Sequence, residues 1–381
     1  MGIHSDYVIE TLSGCTLVPM TTLITIRPPE GDPYDLAIED TEFVKPDDRA
    51  TRHIDTAHLW ALPGLADAHA HLTMTSSNDI AGLSDDTMRA NIPVTAWAHV
   101  ERGVLLILDK GGNTDVTLVS LDHDADLRPF VEVAGAMIHP TGGYMEGYGV
   151  EVEPDDLVEH VRTKAATRGG WVKIVGDWPR RGVGPVSNYP IDTLTEAVQV
   201  VHDAGARVAV HTMALAASDA VAAGVDSIEH GPFLTEEDIR ALAARDGAWV
   251  PTIGNQKYWI DALGPDSSGG KLFTAGLDQM SENLPLAEDV GLTVLAGSDL
   301  AIAHGQIATE AVLLRDHGLS NKAATIATST AAFDYVGRHA ALRAGNVADV
   351  VFFPDNPHDD VTVLDRPEMV IHRGILVEKR V

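Results

Sequence analysis

The sequence has few of the residues that cross-link a chain or bind nucleic acid. Cys15 is the one cysteine among 381 residues, which excludes an internal disulfide and a cysteine-based zinc site. Lys and Arg total 27 against 56 Asp and Glu, and the resulting net charge of −29 argues against contacts with phosphate backbones. No apolar run approaches the ~18 residues of a membrane span, and the first residues lack the pattern of a signal peptide. We therefore expect a cytoplasmic protein that acts on a small molecule, without nucleic-acid or membrane partners; the sequence leaves open whether it forms a homo-oligomer.

The middle of the chain alternates between strand-like and helix-like segments. The amphipathic, alanine-rich stretches with helical period cover 155–167, 192–203, 216–223 and 236–244. The strand-like segments cover 62–69, 115–119, 130–137, 171–175, 207–211, 227–229, 249–253 and 293–296. Eight such units predict an α/β fold of the (β/α)8 TIM-barrel type, whose active site lies at the carboxyl ends of the strands.

Both ends of the chain are rich in short strand-like pieces instead. Near the start these pieces cover 15–18, 23–26, 35–38 and 51–55, separated by Pro, Gly and Asp, and similar pieces recur at 347–353 and 369–377. We expect residues 1–60 and 345–381 to form one small β-sandwich domain. The barrel domain would then cover residues 61–344.

Two histidines in the first predicted barrel strand are the strongest local signal. In the segment PGLADAHAH, His69 and His71 are two positions apart, so on a strand they point to the same face. Two imidazoles placed in this way can bind one metal ion. An isolated pair of this kind is also compatible with ordinary packing in a core, so other candidate ligands decide the interpretation.

Four further candidates lie within or at the end of later predicted strands. Lys173 lies inside an apolar strand, where its stem can pack while its ammonium group pairs with Asp177, or where burial can favour a neutral amine that reacts with carbon dioxide. His211 and His230 end two strands, and either one alone is compatible with a core position. Asp299 ends the last strand and lies far from the next helix for a capping residue. Since separate structural explanations for all six residues are improbable, they predict a metal site.

These motifs resemble the amidohydrolase superfamily, especially its imidazolonepropionase-like and prolidase-like members with two metal ions. The resemblance extends over nearly the whole chain and includes PGLADAHAH (63–71), TGG (141–143), WVKI (171–174), AGVDSIEHG (223–231), VPT (250–252), AGSD (296–299) and NVADVVFFPDNP (346–357). It implies that His69 and His71 bind one Zn²⁺ with Asp299, and that His211 and His230 bind a second. Lys173, carboxylated by carbon dioxide, would bridge the two ions. A hydroxide held between them would attack a carbonyl, and Asp299 would transfer the proton.

The substrate is less defined by the resemblance than the metal site. Dipeptidase-like members have a histidine where this chain has Tyr144 and a different pair where it has Met213-Ala214. We expect hydrolysis of a C–N bond in an amide, a cyclic amide or an N-acyl compound. A mononuclear deaminase or imidazolone-type hydrolase, a prolidase-like dipeptidase or carboxypeptidase, and a non-catalytic relative are the alternatives. Loops at barrel strand ends carry specificity, so the candidate substrate-binding residues are His139, Tyr144, Trp178, Arg180 and Tyr258.

Overall fold

The structure is a computed structural model that describes residues 21–47, 50–76, 83–180, 184–214, 216–339 and 341–377. Its strands are β1 (Thr21–Ile26), β2 (Tyr34–Glu39), β3 (Glu42–Val44), β4 (Ala50–His53), β5 (Trp60–Leu62), β6 (Leu65–Ala70), β7 (Val104–Asp109), β8 (Phe130–Val133), β9 (Ile138–His139), β10 (Val150–Glu151), β11 (Trp171–Val175), β12 (Asp177–Arg180), β13 (Gly184–Ser187), β14 (Arg207–Thr212), β15 (Ser227–His230), β16 (Ala248–Val250), β17 (Thr293–Val294), β18 (Val350–Phe353), β19 (Met369–His372) and β20 (Ile375–Leu376). The strand predicted at 15–18 lies outside the described residues.

The α-helices lie mainly between the strands of the middle region. They are α1 (Asp85–Val100), α2 (Leu157–Ala165), α3 (Ile191–Asp203), α4 (Ala216–Ala223), α5 (Glu236–Ala243), α6 (Ile253–Leu263), α7 (Ser268–Val290), α8 (Ala308–Asp316), α9 (Asn321–Ala327) and α10 (Thr330–Tyr335). The four predicted helical stretches correspond to α2 to α5. Within the described ranges, no helix is both long and apolar enough to cross a membrane.

The middle region is a mixed α/β fold built on parallel strands. One sheet has the order β6-β7-β8, and β9-β11-β14-β15-β16-β17 run parallel within a second sheet that β10 extends. The two sheets approach each other at both ends. Val133 bridges to Gly170, and the Ala68 amide donates to the Ala296 carbonyl over 2.8 Å. β7 and β11 are buried along their whole length and mostly apolar, because both of their faces are covered.

The predicted strand at 115–119 is wrong. Residues Asp115–Asp122 form a 3-10 helix, and the Thr114 hydroxyl accepts a hydrogen bond from the Val116 amide at its start. The second parallel strand is instead β7, whose apolar run follows α1 after a turn of only a few residues. A β-branched composition is shared by both segments, but the local cap at Thr114 favours the helical turn.

A second hydrophobic core forms from both ends of the chain. The four-stranded sheets β3-β2-β1-β4 and β20-β19-β18-β5 supply its buried side chains, including Ile24, Ile38 and Phe43 from the first sheet. Strand β18 contributes to both cores, because its residues alternate between two faces. Phe352 packs in this smaller core, whereas Phe353 packs in the core around the parallel strands. One strand therefore joins the two packed regions.

This shared strand predicts cooperative unfolding. Phe352→Ala and Phe353→Ala should each lower the free energy of unfolding by about 3–5 kcal/mol, since both side chains are fully buried. Denaturant unfolding followed by near-ultraviolet circular dichroism and by tryptophan fluorescence should give one coincident transition for each variant. Val94→Ala, at a residue 58% exposed on α1, is the control. A separate early transition in Phe352→Ala alone would show that the smaller core unfolds independently.

Candidate metal centre

His69, in β6, and His71, directly after it, meet Asp299 at the carboxyl ends of the strands. His69 Nε2 lies 3.3 Å and His71 Nε2 lies 3.2 Å from the same oxygen, Asp299 Oδ1. Both imidazoles are almost fully buried. Two donors bound at zinc distances to one tetrahedral ion are roughly 3.3 Å apart, so these separations fit three ligands around a single cation.

The other ring nitrogens of these histidines are held by partners behind the centre. His71 Nδ1 donates to the Gly111 carbonyl over 2.6 Å, and His69 Nδ1 lies 2.6 Å from Glu229 Oε2. Partners of this kind fix the tautomer and leave Nε2 free to bind a metal. Glu229 is held in turn by the Ser227 hydroxyl at 2.6 Å and by the buried Lys110 ammonium at 3.0 Å.

His211 and His230 lie beside this first group. His211 Nδ1 and His230 Nε2 face each other over 2.9 Å, while His230 Nδ1 donates to the Thr252 hydroxyl over 2.6 Å. His230 Nδ1 is also 3.8 Å from Asp299 Oδ2. Burial lowers the pKa of His69 to about 4 and that of His230 to about 3, so both rings are neutral and keep a lone pair for a metal.

Lys173 is buried among the parallel strands with only 1% of its surface exposed. Its Nζ atom has no hydrogen-bond partner in the described part of the chain. Asp177, the partner considered from the sequence, instead accepts hydrogen bonds from the backbone amides of Met213, Ala214 and Ala216. Burial lowers the pKa of Lys173 to about 8, and Lys110 adds to this effect while Glu229 opposes it.

The residues present fit a bound cation. Donor atoms of His69, His230 and Asp299 all lie within 4.8 Å of one another. Imidazole nitrogen and carboxylate oxygen are ligands that zinc accepts. His71 and His211 extend this group through the contacts given above, and the unpartnered Nζ of Lys173 is a buried polar atom that such a centre would explain.

The backbone at the strand ends is bent sharply around the centre. His230, Thr252, Asp299 and Leu300 all have positive φ angles, between 44° and 62°. Neighbouring residues on a regular strand point to opposite faces, so the positive φ of His230 allows both Glu229 and His230 to face the centre. Strained residues of this kind cluster at functional sites.

A close approach of two strands requires a glycine at the same place. A Cβ atom at Gly297 would lie 2.5 Å from the Cβ of His69. With any larger residue, β6 and the segment after β17 could not maintain their spacing. The AGSD motif thus provides space for His69 as well as the carboxylate of Asp299.

A cavity of about 810 Å³ opens in front of the centre. His71, His211, His230 and Asp299 form its floor. Three of the five candidate substrate-binding residues line it, and these are Tyr144, Trp178 and Tyr258.

The other two candidates lie elsewhere. Arg180 lines a separate cleft and donates to Asn188 Oδ1 over 3.4 Å. His139 is buried with its ring nitrogens 3.0 Å and 2.8 Å from the carbonyl oxygens of Pro140 and Tyr148. Its ring therefore faces backbone rather than the cavity. This packing role is compatible with its position directly before a turn.

A family model described as the amidohydrolase family matches residues 60–377. The chain belongs to this family. This amidohydrolase is 32% identical to an uncharacterized protein of Mycobacterium tuberculosis over 329 residues, which cover 83% of this chain and 84% of the relative. It is 26% identical to an imidazolonepropionase of Salinispora tropica over 235 residues, or 54% of this chain and 57% of the relative.

Among solved structures, a Xaa-Pro dipeptidase with bound methionine has a similar fold, with a TM-score of 0.79 at 20% identity, covering 94% of this chain and all of the other. The prediction of an amidohydrolase is confirmed, and the protein is a metal-dependent hydrolase that acts on C–N bonds.

Two residues of the centre are not apparent from the sequence. Glu229 directly precedes the more conspicuous His230, and Lys110 directly follows Asp109. The spacing of neither residue marks it as a candidate ligand. For Lys110, the available signal is a pair of charged residues directly after an apolar run, as in VLLILDK (104–110).

Glu229 should control metal affinity through His69. We expect Glu229→Gln to weaken metal binding about 10- to 100-fold, as measured by competition with a chromogenic chelator. The variant also leaves Lys110 buried without its counter-charge, which should destabilise the metal-free protein.

A second variant separates these two effects. Lys110→Met combined with Glu229→Gln removes both charges and should recover stability while metal affinity stays low. Glu236→Gln, at an exposed residue of α5, is the control. Wild-type affinity in Glu229→Gln would exclude a role for Glu229 in orienting His69.

Proposed function

We propose that this amidohydrolase cleaves an amide, cyclic amide or N-acyl C–N bond with two zinc ions bound at the candidate centre. The observation that carries the proposal is the buried Nζ of Lys173, which has no partner in the described ranges although the group of histidines and Asp299 lies close by. An isolated ammonium group is costly to bury, whereas a neutral amine can react with carbon dioxide. The carbamate that forms is a carboxylate with two oxygens, one for each ion.

The remaining ligands follow from the same contacts. His69, His71 and Asp299 would hold the first ion, and His211 and His230 the second. When bound, the two ions would supply an activated bridging hydroxide and polarise the carbonyl of the substrate.

Asp299 is the residue that we assign to proton transfer. Oδ1 of its carboxylate faces His69 and His71, and its other oxygen is oriented toward His230. Attack on the carbonyl carbon forms a C–O bond, and the C–N bond then breaks. Asp299 takes the proton of the attacking hydroxide and delivers it to the leaving nitrogen, so that the products are a carboxylate and an amine.

A mononuclear deaminase or imidazolone-type hydrolase is the second candidate. It is favoured by one observation, the group of His69, His230 and Asp299, whose three donor atoms lie close enough for a single ion. That arrangement has no use for Lys173, so the two candidates differ in the number of ions and in their need for this lysine.

We also propose the finer architecture. The hydrogen bonds that join the two parallel sheets at Ala68 and Ala296, and at Val133 and Gly170, support a closed (β/α)8 barrel over residues 61–344. The second core supports a small β-sandwich domain assembled from residues 1–60 and 345–381. A cytoplasmic location remains a prediction, and whether the protein forms a homo-oligomer stays open.

The number of ions tests the binuclear proposal. Purified protein should contain close to two divalent ions per chain, and the stripped protein should recover activity faster with zinc and bicarbonate together than with zinc alone. Lys173→Ala should lose one ion, and a small carboxylate should partly restore it, whereas Lys173→Arg should not be restored because guanidinium stays charged. Lys322→Ala, an exposed lysine paired with Glu30, is the control. One ion per chain in the wild type would favour the mononuclear candidate.

Substitution of Asp299 tests the proton transfer. Asp299→Asn should lower turnover by ~100-fold or more, since an amide cannot accept the proton. Metal analysis of the same sample should show that at least one ion remains bound. Asp365→Asn, which changes an exposed carboxylate paired with Arg102, serves as the control. Full turnover in Asp299→Asn would assign the proton transfer to another group.

A further inference from the structure

The cavity in front of the centre has an unusual composition for a site that would bind a charged substrate. Aromatic side chains provide much of its wall, and these are Tyr144, Tyr148, Trp178, Tyr258, Trp259 and Phe273. Methionine and leucine side chains fill most of the remaining wall, and its other polar side chains are Asn255, Ser267 and Ser268. Its volume of about 810 Å³ is sufficient for a drug-sized molecule.

Charged groups are confined to the floor of this cavity. Apart from Asp299 and the three floor histidines, no charged side chain lines it within the ranges that the structure describes. Arg180, the cation predicted from the sequence to contact substrate, lines the separate cleft beside Asn188. Among the described residues, a carboxylate on the substrate would find no arginine or lysine partner in the cavity wall to offset its lost hydration, which is unfavourable.

The aromatic residues form two walls at different depths. Near the floor, the ring of Tyr144 lies 4.6 Å from Trp178 and 5.3 Å from His211, both edge to face. Farther out, α6 and α7 provide Tyr258, Trp259 and Phe273. The ring of Trp259 lies 5.4 Å from that of Tyr258 and stacks on that of Phe273 at 6.1 Å. Tyr258 is 38% exposed, which fits a place at the mouth.

We propose that the substrate is an uncharged amide with an aromatic or bulky aliphatic group, and that it carries no free carboxylate where it enters the cavity. This inference rests on the proposed function, because it assumes that the scissile bond lies over the metal centre. The inner wall would contact the part of the substrate next to the carbonyl, and the outer wall would cover the distal group. A prolidase-like dipeptide, which ends in a carboxylate, is thereby disfavoured.

Matched substrate pairs test the proposal. The first pair is phenylacetyl-4-nitroanilide and its derivative with a carboxylate at the para position of the phenyl ring. The second pair is phenylacetanilide and the corresponding amide of 4-aminobenzoate. We expect kcat/KM to be at least about 10-fold higher for the neutral member of each pair, because the buried carboxylate lacks a partner. An equal or higher value for both charged members would overturn the proposal.

A binding experiment separates this proposal from the proposed function. Metal-free protein is titrated with phenylacetamide and with 4-carboxyphenylacetamide, and binding is followed by tryptophan fluorescence. The neutral amide should bind at least about 10-fold more tightly. Trp178→Phe should remove much of the signal, whereas Trp97→Phe, on α1 outside the cavity, should retain it. Selective binding without hydrolysis by metal-loaded protein would contradict the proposed function alone, and tighter binding of the charged amide would contradict the inference alone.

A charge introduced into the wall provides the final test. Leu272 lines the cavity, so Leu272→Arg should shift the preference toward the charged members by at least about 10-fold, and Leu272→Gln, which adds polarity without charge, should not. If Leu272→Arg folds, as judged by circular dichroism, and its preference is that of wild type, the cavity does not hold the substituted ring.

Discussion

Two lysine side chains, Lys110 and Lys173, are buried among the parallel strands, and the carboxylate of Glu229 directly contacts the first of them. The other carboxylate oxygen of Glu229 faces His69, so this one side chain contacts both a lysine and a histidine. Lys173 is left without a hydrogen-bond partner in the described residues, beside histidines that burial keeps neutral. Burial without a hydrogen-bond partner makes an ammonium group at Lys173 unfavourable, so this position favours a neutral or a modified lysine. The proposed carbamate, with cations bound, would remove the ammonium group.

Alternation along a strand is sufficient to predict that His69 and His71 face one site, and the structure brings both within 3.3 Å of Asp299. The convergence of strand ends likewise predicts that His211 and His230 are neighbours. Glu229 could not be predicted in this way, since a regular strand would turn it away from the site that His230 faces. The positive φ of His230 changes that geometry, and a backbone angle of this kind has no reliable sign in the sequence.

The wrong strand prediction has a similar origin. The segment 115–119 has the composition of a strand, yet a single hydrogen bond to the Thr114 hydroxyl favours a 3-10 helix there. Composition also cannot tell which loop residues face a cavity. Tyr144, Trp178 and Tyr258 do so, whereas His139 turns toward backbone carbonyls and Arg180 toward a neighbouring cleft. These outcomes depend on contacts between segments far apart in the chain.

The antiparallel hairpin of β12 and β13 combines two roles. Its first residue, Asp177, accepts hydrogen bonds from three backbone amides just beyond His211, while the next residue, Trp178, lines the cavity. Adjacent residues thus contribute to the cavity wall and to the backbone that follows His211. Recombination between relatives that exchanged this hairpin would change the cavity wall, but an exchange that omitted the aspartate would also release the turn after β14. The hairpin would therefore need to be exchanged together with its aspartate to keep the backbone beyond His211 in place.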